Sequence, residues 1–149
     1  CEGLIKKHEV IIGPHNFLID KKVLEKTFFM ENMWVNFQKK YEFNPQHVHS
    51  GLFSFVLYVQ VPYYVHEEDQ HVNVKNAKTK LNSRFVFTGA KSTGEIISEA
   101  LDIDKSWENK IIFFPSFLDH LVYPFFTNDE YRISVSGNIS HRSMNYEYF

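Results

Sequence analysis

The stretch Leu52 to Val61 is apolar but for Ser54 and Gln60, and it ends at Pro62. It is too short for most helices and is rich in Phe, Val and Tyr, the residues that fit a pleated surface packed on its faces. A buried central strand is the reading that follows. A strand of this kind needs others around it, and the chain supplies them. Met33 to Phe37 alternates so that Trp34 and Asn36 share a face. Arg84 to Phe87 and Lys110 to Phe114 read as further strands, the second running into Pro115-Ser116. Arg132 to Ser136 alternates with Arg132, Ser134 and Ser136 on one side.

Turn signals separate these pieces at Asn44-Pro45, Ser50-Gly51 and Pro62. Upstream, Glu9 to Ile12 reads as a short strand stopped by Gly13-Pro14, and Lys21 to Phe29 as either a helical turn or a strand. Val65 to Ser83 is polar, carries the acidic run Glu67-Glu68-Asp69, and is expected as an exposed loop or hairpin excursion. Thr88 to Thr93 looks like a turn, and Glu95 to Leu101 fits a strand edge or a short helix. Many short strands with turn signals between them predict an all-β sandwich or jelly roll with minor helix. The aromatic content of 17% agrees with that class. At 149 residues, the whole span 1–149 is expected to be one domain.

Charge and cysteine usage narrow the setting. A net charge of −2 gives no electrostatic reason to expect nucleic acid or an anionic membrane as partner. No apolar run reaches the roughly 18 residues of a spanning helix, and no signal-peptide pattern is visible. With Cys1 the single cysteine, no internal disulfide can form, which fits a reducing compartment and a cytoplasmic location. The chain starts with Cys rather than Met, as a trimmed chain would.

The chemistry lies in the histidines. In an extended segment residues i and i+2 point the same way, so His47 and His49 can face one spot while Val48 points elsewhere. Imidazole suits iron, copper, nickel and zinc. Two surface histidines beside a proline turn are the bland alternative. His120 follows Phe113-Phe114-Pro115-Ser116-Phe117-Leu118-Asp119, where a buried strand exits through a proline turn and can return to the mouth of a jelly roll. Arg132 lies in an apolar-flanked strand, and an inward guanidinium is seldom left unpaired. It can grip a carboxylate in bidentate fashion with the Ser134 hydroxyl beside it, or it can form a structural salt bridge to a protein acid.

In order, the chain carries Trp34-Val35-Asn36, Pro45-Gln46-His47-Val48-His49, Ser54 to Tyr58 with Pro62, Phe114-Pro115-Ser116 leading to His120, and Arg132-Ile133-Ser134-Val135-Ser136-Gly137-Asn138. This text resembles the iron(II)- and 2-oxoglutarate-dependent oxygenases of the prolyl-hydroxylase branch, and more closely a group of such oxygenases found in phages and marine bacteria. The match runs from Met33 to Asn138. The resemblance implies a double-stranded β-helix, the jelly-roll variant with a metal at its open end. It implies His47, His49 and His120 as ligands of Fe(II), and 2-oxoglutarate and dioxygen as cosubstrates. Arg132 would pair with the distal carboxylate of 2-oxoglutarate, aided by Ser134 and Tyr58, with Asn36 facing the pocket near the bound acid.

The implied reaction hydroxylates a C–H bond while 2-oxoglutarate is decarboxylated to succinate. The broad superfamily places Asp or Glu where His49 stands, so the centre would be more positive by one charge, unless an acid such as Glu67 ligates instead. A cupin would need a Glu near Phe53 and Ser54, and it has no counterpart of Arg132. A non-catalytic jelly-roll binding module would be expected to have lost one of these residues, and a structural zinc site normally takes four ligands, often cysteine. The substrate is open between a protein side chain such as a peptidyl proline, a nucleotide and a small metabolite. The excursion from Val65 to Ser83 is a place for a lid. The aromatic content allows a homodimer, and a phage-encoded protein of this kind would work in the host cytoplasm.

Overall fold

The computed structural model describes residues 28–141. The expected strand at Glu9 to Ile12, and Lys21 to Phe29 except its last two residues, lie outside the described residues. Eight strands follow in order: β1 Phe28–Gln38, β2 Asn44–His47, β3 Phe53–Gln60, β4 Phe85–Ala90, β5 Ile96–Leu101, β6 Ile111–Pro115, β7 His120–Val122 and β8 Arg132–His141. They form two four-stranded antiparallel sheets, ordered β1-β8-β3-β6 and β2-β7-β4-β5. Consecutive strands alternate between the sheets or return across them, the strand order of an eight-stranded jelly roll.

β3 is the buried central strand that its composition demands, hydrogen-bonded to β8 on one side and β6 on the other. Alternation sends Val56 and Tyr58 into the space between the sheets, where they meet Phe85, Ile103, Ile112, Phe114 and Phe125 in the main core. Phe53 and Phe55 point the other way, into a smaller cluster with Phe28 and Ile139. Each phenylalanine so buried contributes roughly 1.5–3 kcal/mol.

Two expectations change, and one open alternative resolves. Thr88 to Thr93 is not all turn: Thr88–Ala90 completes β4, and the turn begins at Lys91. Glu95 to Leu101 resolves as strand, because β5 pairs with β4 along its length. Val65 to Ser83 is not simply an exposed excursion. It opens with a short helix, α1 (Val65–Glu68), and Glu68 is fully buried. The Glu68 carboxylate accepts hydrogen bonds from the backbone N–H of Phe126 and of Thr127 and from the Thr127 hydroxyl. Backbone donors nearly sixty positions away (58 and 59 residues on) need an acceptor, and local sequence cannot reveal that.

Candidate metal and carboxylate site

The short strands β2 and β7 run antiparallel, and their register sets His47 directly opposite His120. Opposed residues on one face of a sheet have Cβ atoms about 5 Å apart, so the two rings are brought together by backbone pairing alone. His49 follows β2, its backbone N–H donating to the carbonyl of Ser116 at 2.9 Å. Val48 between them is turned out to solvent, 54% exposed. Ring centroids lie 4.3 Å apart for His47 and His120, 4.9 Å for His47 and His49, and 5.0 Å for His49 and His120. One nitrogen from each ring lies within 4.8 Å of the others, close enough to share a metal ion.

Hydrogen bonding selects the nitrogens that face inward. Nδ1 of His47 lies 2.6 Å from the Pro45 carbonyl oxygen, and Nδ1 of His120 lies 2.9 Å from that of Leu118. A carbonyl only accepts, so each Nδ1 carries the proton and each Nε2 keeps its lone pair. Phe85 stacks flat on the His120 ring, at 5.2 Å and 8°, while Phe114 meets its edge. Trp34 packs on His49. Burial in this apolar collar pushes the pKa of His120 down to about 4, against the opposing effect of the Leu118 carbonyl. Burial, and then the neighbouring His47, lower that of His49. Both rings are therefore neutral near pH 7, which is the form that ligates.

The facing sheet supplies a second set of groups. Strand pairing lines up Gln38 with Arg132, then Asn36 with Ser134 and Tyr58, then Trp34 with Ser136 and Val56. Asn36 donates from Nδ2 to the Ser136 hydroxyl at 3.1 Å and to that of Ser134 at 3.4 Å. The Tyr58 side chain is 2% exposed, and its hydroxyl makes no hydrogen bond to the described residues. Burial raises the pKa of both Tyr58 and Tyr63, so each stays a neutral phenol.

Two buried arginines show how differently the fold treats a charge. Arg84 is held by both carboxylate oxygens of Asp69, at 2.6 and 3.0 Å, and by Asp102 at 2.9 Å. Arg132 is 2% exposed and forms no ion pair within the described residues. Its Nη1 donates to the Tyr63 hydroxyl and the Ser83 carbonyl, and its Nη2 to the Tyr123 carbonyl. Nε and Nη2 both donate to the side-chain oxygen of Gln38. Among the described residues, the fold thus builds no structural salt bridge at Arg132, the alternative that the sequence also offered. Tyr63 and Phe125 flank the guanidinium at 5.8 and 5.5 Å from their centroids.

All seven residues singled out in the sequence, His47, His49, His120, Arg132, Ser134, Tyr58 and Asn36, line one cleft of about 710 Å³ between the sheets. Glu67 is not among the lining residues and does not join the histidine cluster. Sequence reasoning missed Gln38, Tyr63 and the carbonyls around Arg132. Gln38 had a signal, because it extends the alternation of Trp34 and Asn36 by two residues. Tyr63, just past Pro62, had none.

Residues 32–138 match a family model described as "Putative 2OG-Fe(II) oxygenase". None of the curated proteins compared matches the chain in sequence. With a jelly roll, a three-histidine cluster and a buried arginine that has no ion pair among the described residues on one cleft, and with most of its length under that family model, the chain belongs to the 2-oxoglutarate–Fe(II) oxygenase family.

Proposed function

We propose that this protein is an iron(II)- and 2-oxoglutarate-dependent dioxygenase that hydroxylates a substrate entering the cleft, with His47, His49 and His120 as the metal ligands. The observation that carries this reading is the pairing, in one cleft, of three clustered imidazoles with a buried arginine that has no carboxylate partner among the described residues. Burying an uncompensated charge costs several kcal/mol, and an incoming carboxylate removes that cost. The donor set fits the metal, since imidazole suits iron(II) and the fold leaves the Nε2 lone pairs of His47 and His120 free.

When bound, iron(II) with 2-oxoglutarate and dioxygen supplies an oxidative decarboxylation that yields succinate and a hydroxylated product. The chain's own part is to bind, orient and exclude water. Arg132 meets the distal carboxylate of 2-oxoglutarate, and the hydroxyls of Ser134 and Tyr58 add hydrogen bonds to it. Asn36, which is bonded to both serines, keeps those hydroxyls oriented across β1 and β8. Phe85, Phe114 and Trp34 close the metal end against solvent, and the carbonyls of Pro45 and Leu118 lock the ligand tautomers.

The test is a pair of titrations under anaerobic conditions. Iron(II) binds the intact protein, and 2-oxoglutarate then binds the iron-loaded form. Arg132→Ala should keep iron affinity and lose 2-oxoglutarate affinity about 100-fold, the scale of a lost charge-assisted pair. His120→Ala should lose both. Iron and 2-oxoglutarate binding left intact in His120→Ala would rule the reading out.

A further inference from the structure

Every N–H of the Arg132 guanidinium is already engaged. Nη1 is taken by Tyr63 and Ser83, one hydrogen of Nη2 by Tyr123, and the remaining edge, Nε with Nη2, by Gln38 Oε1 at 3.1 and 2.5 Å. That edge is one on which an arginine receives a carboxylate in fork geometry. The other acceptors are a backbone carbonyl of the 123 position, a backbone carbonyl of the 83 position and a phenol buried in the core, none of which can leave without disturbing the fold. Gln38 differs. It is a half-exposed side chain on the edge strand β1, it lines the cleft, and its Nε2 donates to the Glu42 carbonyl in the turn before β2.

We propose that Gln38 is a displaceable latch on Arg132: its amide oxygen occupies the guanidinium edge in the ligand-free protein, and a carboxylate binds by replacing it. The inference rests on the proposed use of Arg132 as the 2-oxoglutarate anchor and adds a residue that sets how tightly that anchor grips. A neutral amide oxygen stabilises the buried cation enough to keep the fork shaped, but less than an anion does, so a dicarboxylate wins the exchange. An Asp or Glu at position 38 would fill the fork permanently. A ligand that lacks the second carboxylate does not reach the fork and gains nothing from its release.

The experiment is calorimetric titration of 2-oxoglutarate, and separately of pyruvate, into the full iron(II)-loaded chain under anaerobic conditions. Wild type, Gln38→Ala, Gln38→Glu and Arg132→Ala are compared, with thermal melting of each. Gln38→Ala is expected to bind 2-oxoglutarate about fivefold to tenfold more tightly, the value of one net hydrogen bond no longer in competition, while its melting temperature does not rise. Gln38→Glu should weaken 2-oxoglutarate by more than about 30-fold through its own carboxylate. Pyruvate should be indifferent to both changes.

A merely structural Gln38 would lower stability and 2-oxoglutarate affinity together, which would overturn the latch. So would Gln38→Glu binding 2-oxoglutarate as wild type does, a result that stands even if Gln38→Ala does not fold. Loss of binding in Arg132→Ala together with unchanged affinity in both Gln38 variants would remove the latch and leave the oxygenase reading in place. No 2-oxoglutarate binding by wild type or any variant would remove both.

Discussion

Tyr58 is the residue whose role can be separated most cleanly from the fold. Its ring packs in the main core, yet its hydroxyl makes no hydrogen bond to the described residues and lies on the same cleft as Arg132. Tyr58→Phe should therefore leave unfolding free energy within about 0.5 kcal/mol of wild type. The same change should weaken 2-oxoglutarate about tenfold or more, because hydrogen bonds to charged groups are worth about 1.5–3 kcal/mol. Denaturant melts and titration of the iron-loaded protein check the two halves. The family resemblance implied Tyr58, Ser134 and Asn36 around one bound acid, and strand pairing places them in one row. For Gln38 the alternation gave only the face, since nothing in a glutamine announces that its oxygen will meet an arginine 94 positions away.

At the scale of elements, β8 decides whether the site exists. It lies between β1 and β3 and carries Arg132, Ser134 and Ser136 into the cleft. The three strands approach closely at Gly137. A Cβ there would stand 2.7 Å from the Phe55 ring and 2.8 Å from the Asn32 carbonyl oxygen. Gly137→Ala should cost about 1–3 kcal/mol by overpacking, seen as a lower midpoint in urea. It should also weaken 2-oxoglutarate more than iron, because the proposed ligands His47 and His120 lie on the other sheet.

The strands themselves were legible because hydrophobic alternation is a local signal, and β3 and the start of β8 fall where expected. The polar inward residues of the second half of β8 masked its true length, since Asn138 pairs with Ser54 rather than with apolar neighbours. Glu68 and Asp69 were misread as solvated for the same reason: their partners, Thr127 and Arg84, are distant in sequence.

For the molecule as a whole, the histidine centre makes stability depend on pH. The pKa of His120 falls from an ordinary 6.5 to about 4 on folding, and that of His49 moves the same way. The unfolded chain therefore binds these protons more readily than the folded one. Stability is full above about pH 6.5 and is lost as pH falls from there toward 4, by roughly 3 kcal/mol for His120. Asp69, held below the usual carboxylate range by Arg84, gives a further loss at still lower pH. Chemical denaturation of the metal-free protein at pH 7.5 and 4.5 should reveal this difference, and His120→Asn should flatten it. A profile equally steep in His120→Asn would place the effect elsewhere. Bound metal adds stability by mass action, about 2.7 kcal/mol at 100 times its dissociation constant. The all-β class and the jelly roll could be read from the chain because turn-punctuated strands leave few architectures. The exact opposition of His47 and His120 is a matter of register, which is settled only when all eight strands are paired.

The central claim is that His47, His49 and His120 hold iron(II) next to a 2-oxoglutarate that Arg132 anchors. Anaerobic addition of iron(II) and 2-oxoglutarate together should produce a weak visible metal-to-ligand charge-transfer band. That band should be missing with either component alone, missing in His120→Ala, and much reduced in Arg132→Ala. No band in wild type under saturating iron and 2-oxoglutarate, or an undiminished band in His120→Ala, would contradict the account.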